Sequence, residues 1–250
     1  SPFVIQGFLR KLVNAGCTHA VLEYSSHGLI QSRTHCTWPR VAGITNLTPE
    51  HLDYHKTMEE YQHAKRKLFE MLGTKGTKVL NLEDHTYEDY ATVPTARTVS
   101  YSAHEIAKHS HGERLWATNI TADRSAIKAL IHLGDASAPL SLPMAGNFNL
   151  DNALCAIGCA LGCGVTLDQS VKALSTFHGI PGRMERIEDG QPFAVFVDFT
   201  VTPAAYEKTL STLKAMLSPG QRLLALTGSC GDRMKEKRPH VGHIVSEYAD

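Results

Sequence analysis

The stretch Val41–Leu82, VAGITNLTPEHLDYHKTMEEYQHAKRKLFEMLGTKGTKVLNL, decides the fold class. It opens on a short apolar run, Val41 to Thr45, that reads as a strand. A polar turn follows, and then Met58 to Leu72 repeats with helical spacing: Met58, Tyr61, Ala64, Lys65, Leu68, Phe69 and Leu72 share one face. Gly73 ends that helix and Thr77–Leu82 returns as a second strand. Strand, helix, strand is the succession of a parallel α/β sheet, in which ligands gather at the carboxyl ends of the strands. The turn between Asn46 and His55 sits at such an end. It packs Glu50, His51, Asp53 and His55 into six residues, a density that suits metal binding or proton transfer.

Working outward, Phe3–Asn14 is a predicted helix closed by Gly16, and His19–Tyr24 (HAVLEY) a predicted strand. Glu23 stands near its end, ahead of Ser25-Ser26-His27-Gly28, where a carboxylate could reach a hard cation or simply occupy a surface turn. Three extended runs between Val99 and Pro143 predict an antiparallel patch. Gly146–Gly162 and Asp168–Thr176 read as helices. His178-Gly-Ile-Pro-Gly182 is a candidate linker, placing a central domain over 1–181 and a second domain over 182–250. Beyond it the pattern predicts strand Phe193–Asp198, helix Ala204–Leu217, strand Arg222–Thr227 and helix Val241–Tyr248. So short a βαβα run predicts that the natural protein continues past Asp250, and the opening without Met predicts a start inside a longer one.

The bulk numbers narrow the class. A formal net charge of zero offers no basic face for nucleic acid, and no apolar run approaches the ~18 residues that a membrane span requires. The N-terminal residues show no secretory leader. Six scattered cysteines include no CxxC, so free thiols and a reducing cytoplasm are expected; Cys155, Cys159 and Cys163 share a helix face that reads as tight packing. No GxxxxGK[ST] phosphate loop occurs, and GTKGTK at Gly73–Lys78 runs from helix into strand, the wrong way round to cradle phosphate.

Several single residues carry candidate chemistry. Lys65 lies among apolar neighbours, so its amine either snorkels to water or sits in a site, where a lowered pKa would let it take up CO₂ as a carbamate. Asn149 and Asn152 could bond a base or cap the helix they begin. Arg183, in GRMER, could meet a phosphate. Asp198 ends a strand where a ribose-binding acid would stand, or where a capping residue would. Gly228–Arg238 (GSCGDRMKEKR) suits an anion or a solvated turn.

EYSSHGLIQSR, TNLTPEHLDYHKTMEEY, AKRKLF, GNFNLDNAL, GRMER and GSCGDRMKEKRP resemble, in order and spacing, the Mur ligases. The resemblance spans all 250 residues and is nearest the tripeptide-synthetase branch. It implies a Mur ligase central domain, mostly parallel sheet with a small antiparallel patch, plus the start of a Rossmann-like C-terminal domain. It implies ATP and Mg²⁺, an acyl phosphate on the substrate carboxylate, and attack by an incoming amine. UDP-MurNAc-dipeptide and a diamino acid would be the substrates, and the protein a cytoplasmic monomer. Glu23, His51 and Lys65, the last carbamylated, resemble the metal-holding residues. Ser25, Gln31 and Arg33 resemble the UDP-MurNAc-dipeptide contacts, and Asn149, Asn152, Arg183 and Asp198 the nucleotide contacts. Missing are the family's phosphate loop and its DNPR-type motif, so these 250 residues alone are expected to be inactive and the added amino acid is left open. Val201 stands where the family usually has histidine. A folylpolyglutamate or cyanophycin synthetase-like ligase, or a degenerate non-catalytic homologue, are the alternatives.

Overall fold

The computed structural model describes residues 1–104, 110–228 and 235–250, together with all their side chains except that of Asp53. The middle of the GSCGDRMKEKR stretch therefore lies outside the described residues. Two compact units emerge from the contacts, one built mainly from Ser1–Tyr101 with Gly158–Gly164, the other mainly from Leu115–Ile157 and Val165–Asp250.

In the first unit, helix α1 (Pro2–Asn14) starts on a proline whose missing N–H costs nothing at a helix start, and Gly16 leaves it at φ 80°. A short helix α2 (Ser26–Ile30) follows, then strand β1 (Val41–Gly43), the single turn α3 (Leu52–His55), helix α4 (Met58–Glu70), strand β2 (Thr77–Asn81), helix α5 (Tyr87–Ala91) and strand β3 (Arg97–Ser102). β1, β2 and β3 pair in parallel, Val41 opposite Thr77 and Thr77 opposite Arg97. The α/β reading of Val41–Leu82 is thus borne out; of GTKGTK at Gly73–Lys78, Gly73–Lys75 forms a single 3₁₀ turn and Thr77 and Lys78 already belong to β2. The core beneath α4 is Tyr61, Ala64, Phe69 and Leu72, the helix face read from the spacing.

The loop leaving β1 is fastened by its neighbours. Asn81 Nδ2 donates to Thr45 O (2.8 Å), Tyr101 Oη to Ile44 O (2.9 Å), and Leu47 N to Asp84 Oδ2 (2.9 Å). These bonds set the take-off of the turn that carries Glu50, His51 and His55.

One expectation fails here. The segment 19–24 forms no strand and has no regular structure, with Val21 fully exposed. Val21 and Tyr24 have high β propensity, but a strand exists only where a neighbour takes up its N–H and C=O groups, and none of the described strands does so.

In the second unit, β4 (Glu113–Ala122), β5 (Ile127–Leu133) and β6 (Ala136–Leu142) make the expected antiparallel meander, with Leu115 facing Leu133 and Ile127 facing Leu142. Helix α6 (Phe148–Gly162) and helix α7 (Leu167–Ser175) come next. Thr166 and Gln169 form a reciprocal capping box at the start of α7, bonding each other's backbone. A ribbon of β7 (Glu185–Ile187) and β8 (Val195–Val197), helix α8 (Pro203–Ala215) and helix α9 (Lys237–Tyr248) complete the chain. The predicted strand at 222–227 does not form. Leu224 and Leu226 stand exposed, and no described strand lies alongside to pair with it.

Candidate active site

Three segments of the first unit meet around His51. The chain enters α3 with His51 at φ 58° and leaves it with Lys56 at φ 66°. Two side-chain-bearing residues in the left-handed region bracket one helical turn. Each costs about 1 kcal/mol or more and persists only where surroundings over-determine it. Those surroundings are aromatic. The His27 ring lies 4.2 Å from Tyr54 and 4.8 Å, edge-on, from His51; the His55 ring stacks on Tyr61 at 5.1 Å and 21°. His51 Nε2 stands 3.8 Å from Glu50 Oε2.

Lys65 reaches this cluster from α4. It is half-buried, and its Nζ donates to Tyr24 O at 3.3 Å, beside Glu23 in the chain. Burial lowers its pKa below the ordinary lysine value, while the nearby charges of Glu23 and Glu50 pull it back up. The same burial, with Glu50 close by, pushes the Tyr61 hydroxyl up to about 12. Glu23, Glu50 and Lys65 therefore share one electrostatic neighbourhood. Tyr61 is an addition to the site residues expected from the sequence. Glu50 was visible in the cluster, whereas Tyr61 looked like ordinary core because an apolar helix face does not disclose what its polar tip meets.

Ser25 caps α2, its Oγ accepting from Gly28 N at 3.1 Å. Gln31 Nε2 donates to Tyr54 Oη at 3.4 Å, and Arg33 is exposed on the turn after α2. All three belong to the segment that also presents Glu23. Among the described residues, no three His, Cys, Asp or Glu side chains group closely enough to hold a metal ion.

The other four candidates lie in the second unit. Asn149 is buried at the start of α6, where its Nδ2 donates to Ala145 O at 2.7 Å and its Oδ1 accepts from Asn152 Nδ2 at 3.1 Å. Asp198 Oδ2 accepts from Met184 N at 2.8 Å, and its other oxygen accepts from the Thr200 hydroxyl. Arg183 donates to Phe199 O at 3.2 Å with its guanidinium 5.4 Å above the Phe199 ring. These bonds clamp the end of β8 onto the GRM turn. A cavity of ≈ 360 Å³ opens beside that turn, lined among others by Arg183, Arg186, His178 and Met144.

Residues 1–160 match the Mur ligase middle domain, and residues 182–250 the Mur ligase glutamate ligase domain. The chain belongs to the Mur ligase family. Among its relatives is the UDP-N-acetylmuramoyl-L-alanyl-D-glutamate–2,6-diaminopimelate ligase of Chlorobium phaeobacteroides, 38% identical over 99% of this chain and 49% of the relative. The UDP-N-acetylmuramyl-tripeptide synthetase of a Roseiflexus species is 35% identical over 98% of the chain and 50% of its own length. A solved structure of a diaminopimelate ligase of the same name as the first superposes with a TM-score of 0.74 at 29% identity, covering 98% of the chain and 50% of that protein. The chain thus spans about half the length of the Mur ligases it matches.

At Val201 the backbone carbonyl accepts from Lys237 Nζ at 2.6 Å, which ties α9 to the main chain there. No described helix is long and apolar enough to cross a membrane.

Proposed function

We propose that the protein carrying this chain is an ATP-dependent ligase that joins diaminopimelate to the D-glutamyl end of UDP-MurNAc-L-Ala-D-Glu in peptidoglycan precursor synthesis. The observation that carries the reading is Lys65, half-buried with its pKa lowered by burial beside two carboxylates, Glu23 and Glu50. The names of relatives 34–38% identical, diaminopimelate ligases acting on UDP-N-acetylmuramoyl-L-alanyl-D-glutamate, support the choice of substrates.

In this reading the substrate carboxylate takes a phosphoryl group from ATP and the resulting acyl phosphate is attacked by the amine. Such a reaction asks the protein for positioning and charge compensation rather than for a nucleophile. Ser25, Gln31 and Arg33 would orient the UDP-MurNAc-dipeptide from the α2 segment. Asn149, Asn152, Arg183 and Asp198 would contact the nucleotide.

Mg²⁺ fits the residues present in a specific way. Among the described residues, the natural side chains fall short of a three-ligand set of His and carboxylates. CO₂ uptake by the neutral Lys65 amine, with loss of one proton, would form a carbamate and supply the missing anionic oxygen donor beside Glu23 and His51. Bound there, the metal would offset the charge gathered between phosphate and carboxylate. Burial favours the neutral amine that this addition needs.

The test is ligation by the natural-length protein, followed as phosphate release and amide product. Wild type should couple diaminopimelate to UDP-MurNAc-L-Ala-D-Glu with strict dependence on ATP. Lys65→Arg and Glu23→Gln should each lower kcat by roughly 10²-fold or more, the order expected for a lost charge-compensating group. A wild-type protein that turns over a different carboxylate, or none, overturns the reading.

A further inference from the structure

The Ser26–His55 pair is not accounted for by any of the roles above. Its geometry points to His55 as a positioning residue that locks the substrate-side segment to the metal-side turn. His55 Nε2 and Ser26 Oγ are 2.8 Å apart, 29 residues apart in the chain, and both residues are almost wholly buried, at 4% and 1% exposed. The proposal rests on the function proposed above.

Three connections converge on this imidazole. Through Ser26 it holds the first turn of α2, directly after the Ser25 cap and three residues after Glu23. Through the backbone it closes α3, since His55 N donates to His51 O at 2.9 Å and so fixes the strained His51. Through its ring it lies flat on Tyr61, one turn before Lys65 on α4. The three segments that would supply Glu23, His51 and Lys65 thus share a contact with His55.

A buried hydrogen bond between two segments specifies one relative placement, because any shift leaves a desolvated donor or acceptor without its partner. An apolar residue of the same size could fill the space without defining the register. Histidine also offers two nitrogens on a rigid ring, so a bond at Nε2 orients the whole plane against Tyr61. The chemistry needed at the site tolerates little slack: errors of about 1 Å in placement cost on the order of 10²-fold in rate.

The experiment uses the natural-length protein with four variants: Ser26→Ala, His55→Phe, the double variant and His55→Gln. Phe keeps the stack on Tyr61 and removes the bond; Gln restores a polar nitrogen at similar reach. Thermal midpoints and near-ultraviolet circular dichroism establish that each is folded. Three quantities are then read: the Kd for UDP-MurNAc-dipeptide without ATP or metal, the Mg²⁺ concentration at half-maximal rate, and the ¹⁵N shifts of the His55 ring.

Ser26→Ala and His55→Phe should each weaken dipeptide binding and raise the Mg²⁺ requirement by roughly 10-fold, the scale of a buried bond lost with its geometry. The double variant should be no worse than the worse single, and His55→Gln should recover part of both losses. Ser26→Ala should also move the His55 ring shifts. Folded variants with wild-type Kd and Mg²⁺ dependence overturn the proposal, as do losses that multiply in the double variant or a His55 ring indifferent to Ser26→Ala. A wild-type protein that fails to bind the dipeptide instead overturns the proposed function, and the ring shifts still decide whether the strut exists.

Discussion

Two lysines of the first unit show how surroundings decide what one side chain can do. Burial lowers the pKa of both Lys65 and Lys78. Lys78 points its Nζ at the carbonyls of Tyr90, Ala91 and Val93, at 3.2, 2.6 and 2.5 Å, beyond the end of α5. All three of its donors are spent on the negative end of a helix, a structural use with no capacity left for chemistry. Lys78→Met should therefore lower stability by about 2 kcal/mol, because it leaves buried carbonyls unpaired; a urea midpoint equal to wild type would contradict this. Lys65 makes one long bond, to Tyr24 O, and faces carboxylates. In ¹³C-bicarbonate the natural-length protein should show a carbamate carbonyl resonance that Lys65→Arg lacks and Lys78→Met keeps. A spectrum without that resonance in wild type would remove Lys65 from the proposed metal set.

At the scale of elements, close approach and charge pairing tie the end of α6 to the parallel strands. A Cβ on Gly158 would sit 2.5 Å from Val79 Cγ1 and 3.5 Å from Val99 Cγ1. Val79 is wholly buried and stiff at χ1, so Gly158→Ala should cost about 1–3 kcal/mol by overpacking, read as a lower thermal midpoint. Gly158 and Gly162, with Cys155, make that helix face, while Cys163 is exposed just past the helix end. Arg97 adds a second tie. It grips Glu113 through two bonds, 2.6 and 2.8 Å, and donates to Leu161 O at 2.8 Å. The hydrogen bonds from Arg97 hold the Glu113 carboxyl below its ordinary pKa of 4.5. The stability this contributes is complete above that ordinary value and is lost as pH falls through the lowered one. Glu113→Gln should be less stable at neutral pH, and its urea midpoints should converge with wild type in acid. Parallel curves would show that the pair does not matter.

These elements also show what could be read in advance. The face of α4 was legible because burial on one side imposes a helical period, and the flanking strands because burial leaves short, nearly continuous apolar runs bounded by turn residues. HAVLEY and the segment 222–227 were not, since local β propensity carries no information about whether a neighbouring strand is there to pair. Within the site, the Glu50–His55 cluster declared itself by density. The bond from His55 to Ser26 was hidden, because it joins residues far apart in sequence whose meeting depends on how α2 and α3 dock.

For the whole molecule, the decisive property is how the proposed chemistry is distributed over sequence. Every candidate for metal and dipeptide contact lies between Glu23 and Lys65, and every candidate for nucleotide contact lies between Asn149 and Asp198. No GxxxxGK[ST] segment occurs in these 250 residues to cradle the β- and γ-phosphates with backbone N–H groups and a lysine. The chain also spans about half the length of the ligases it matches. Phosphoryl transfer relies almost wholly on positioned charge, so losing the phosphate cradle removes much of the catalytic electrostatics even where Glu23, His51 and Lys65 are intact. The 250-residue chain by itself should accordingly release no phosphate above the blank when given ATP, Mg²⁺, UDP-MurNAc-dipeptide and diaminopimelate. The same assay on the natural-length protein should show release that Lys65→Arg abolishes. Phosphate release by the 250-residue chain that Lys65→Arg also abolishes would place a complete phosphate site within these residues and overturn the expectation. Release that survives Lys65→Arg would come from a contaminating ATPase and would leave the chain's own rate at the predicted zero.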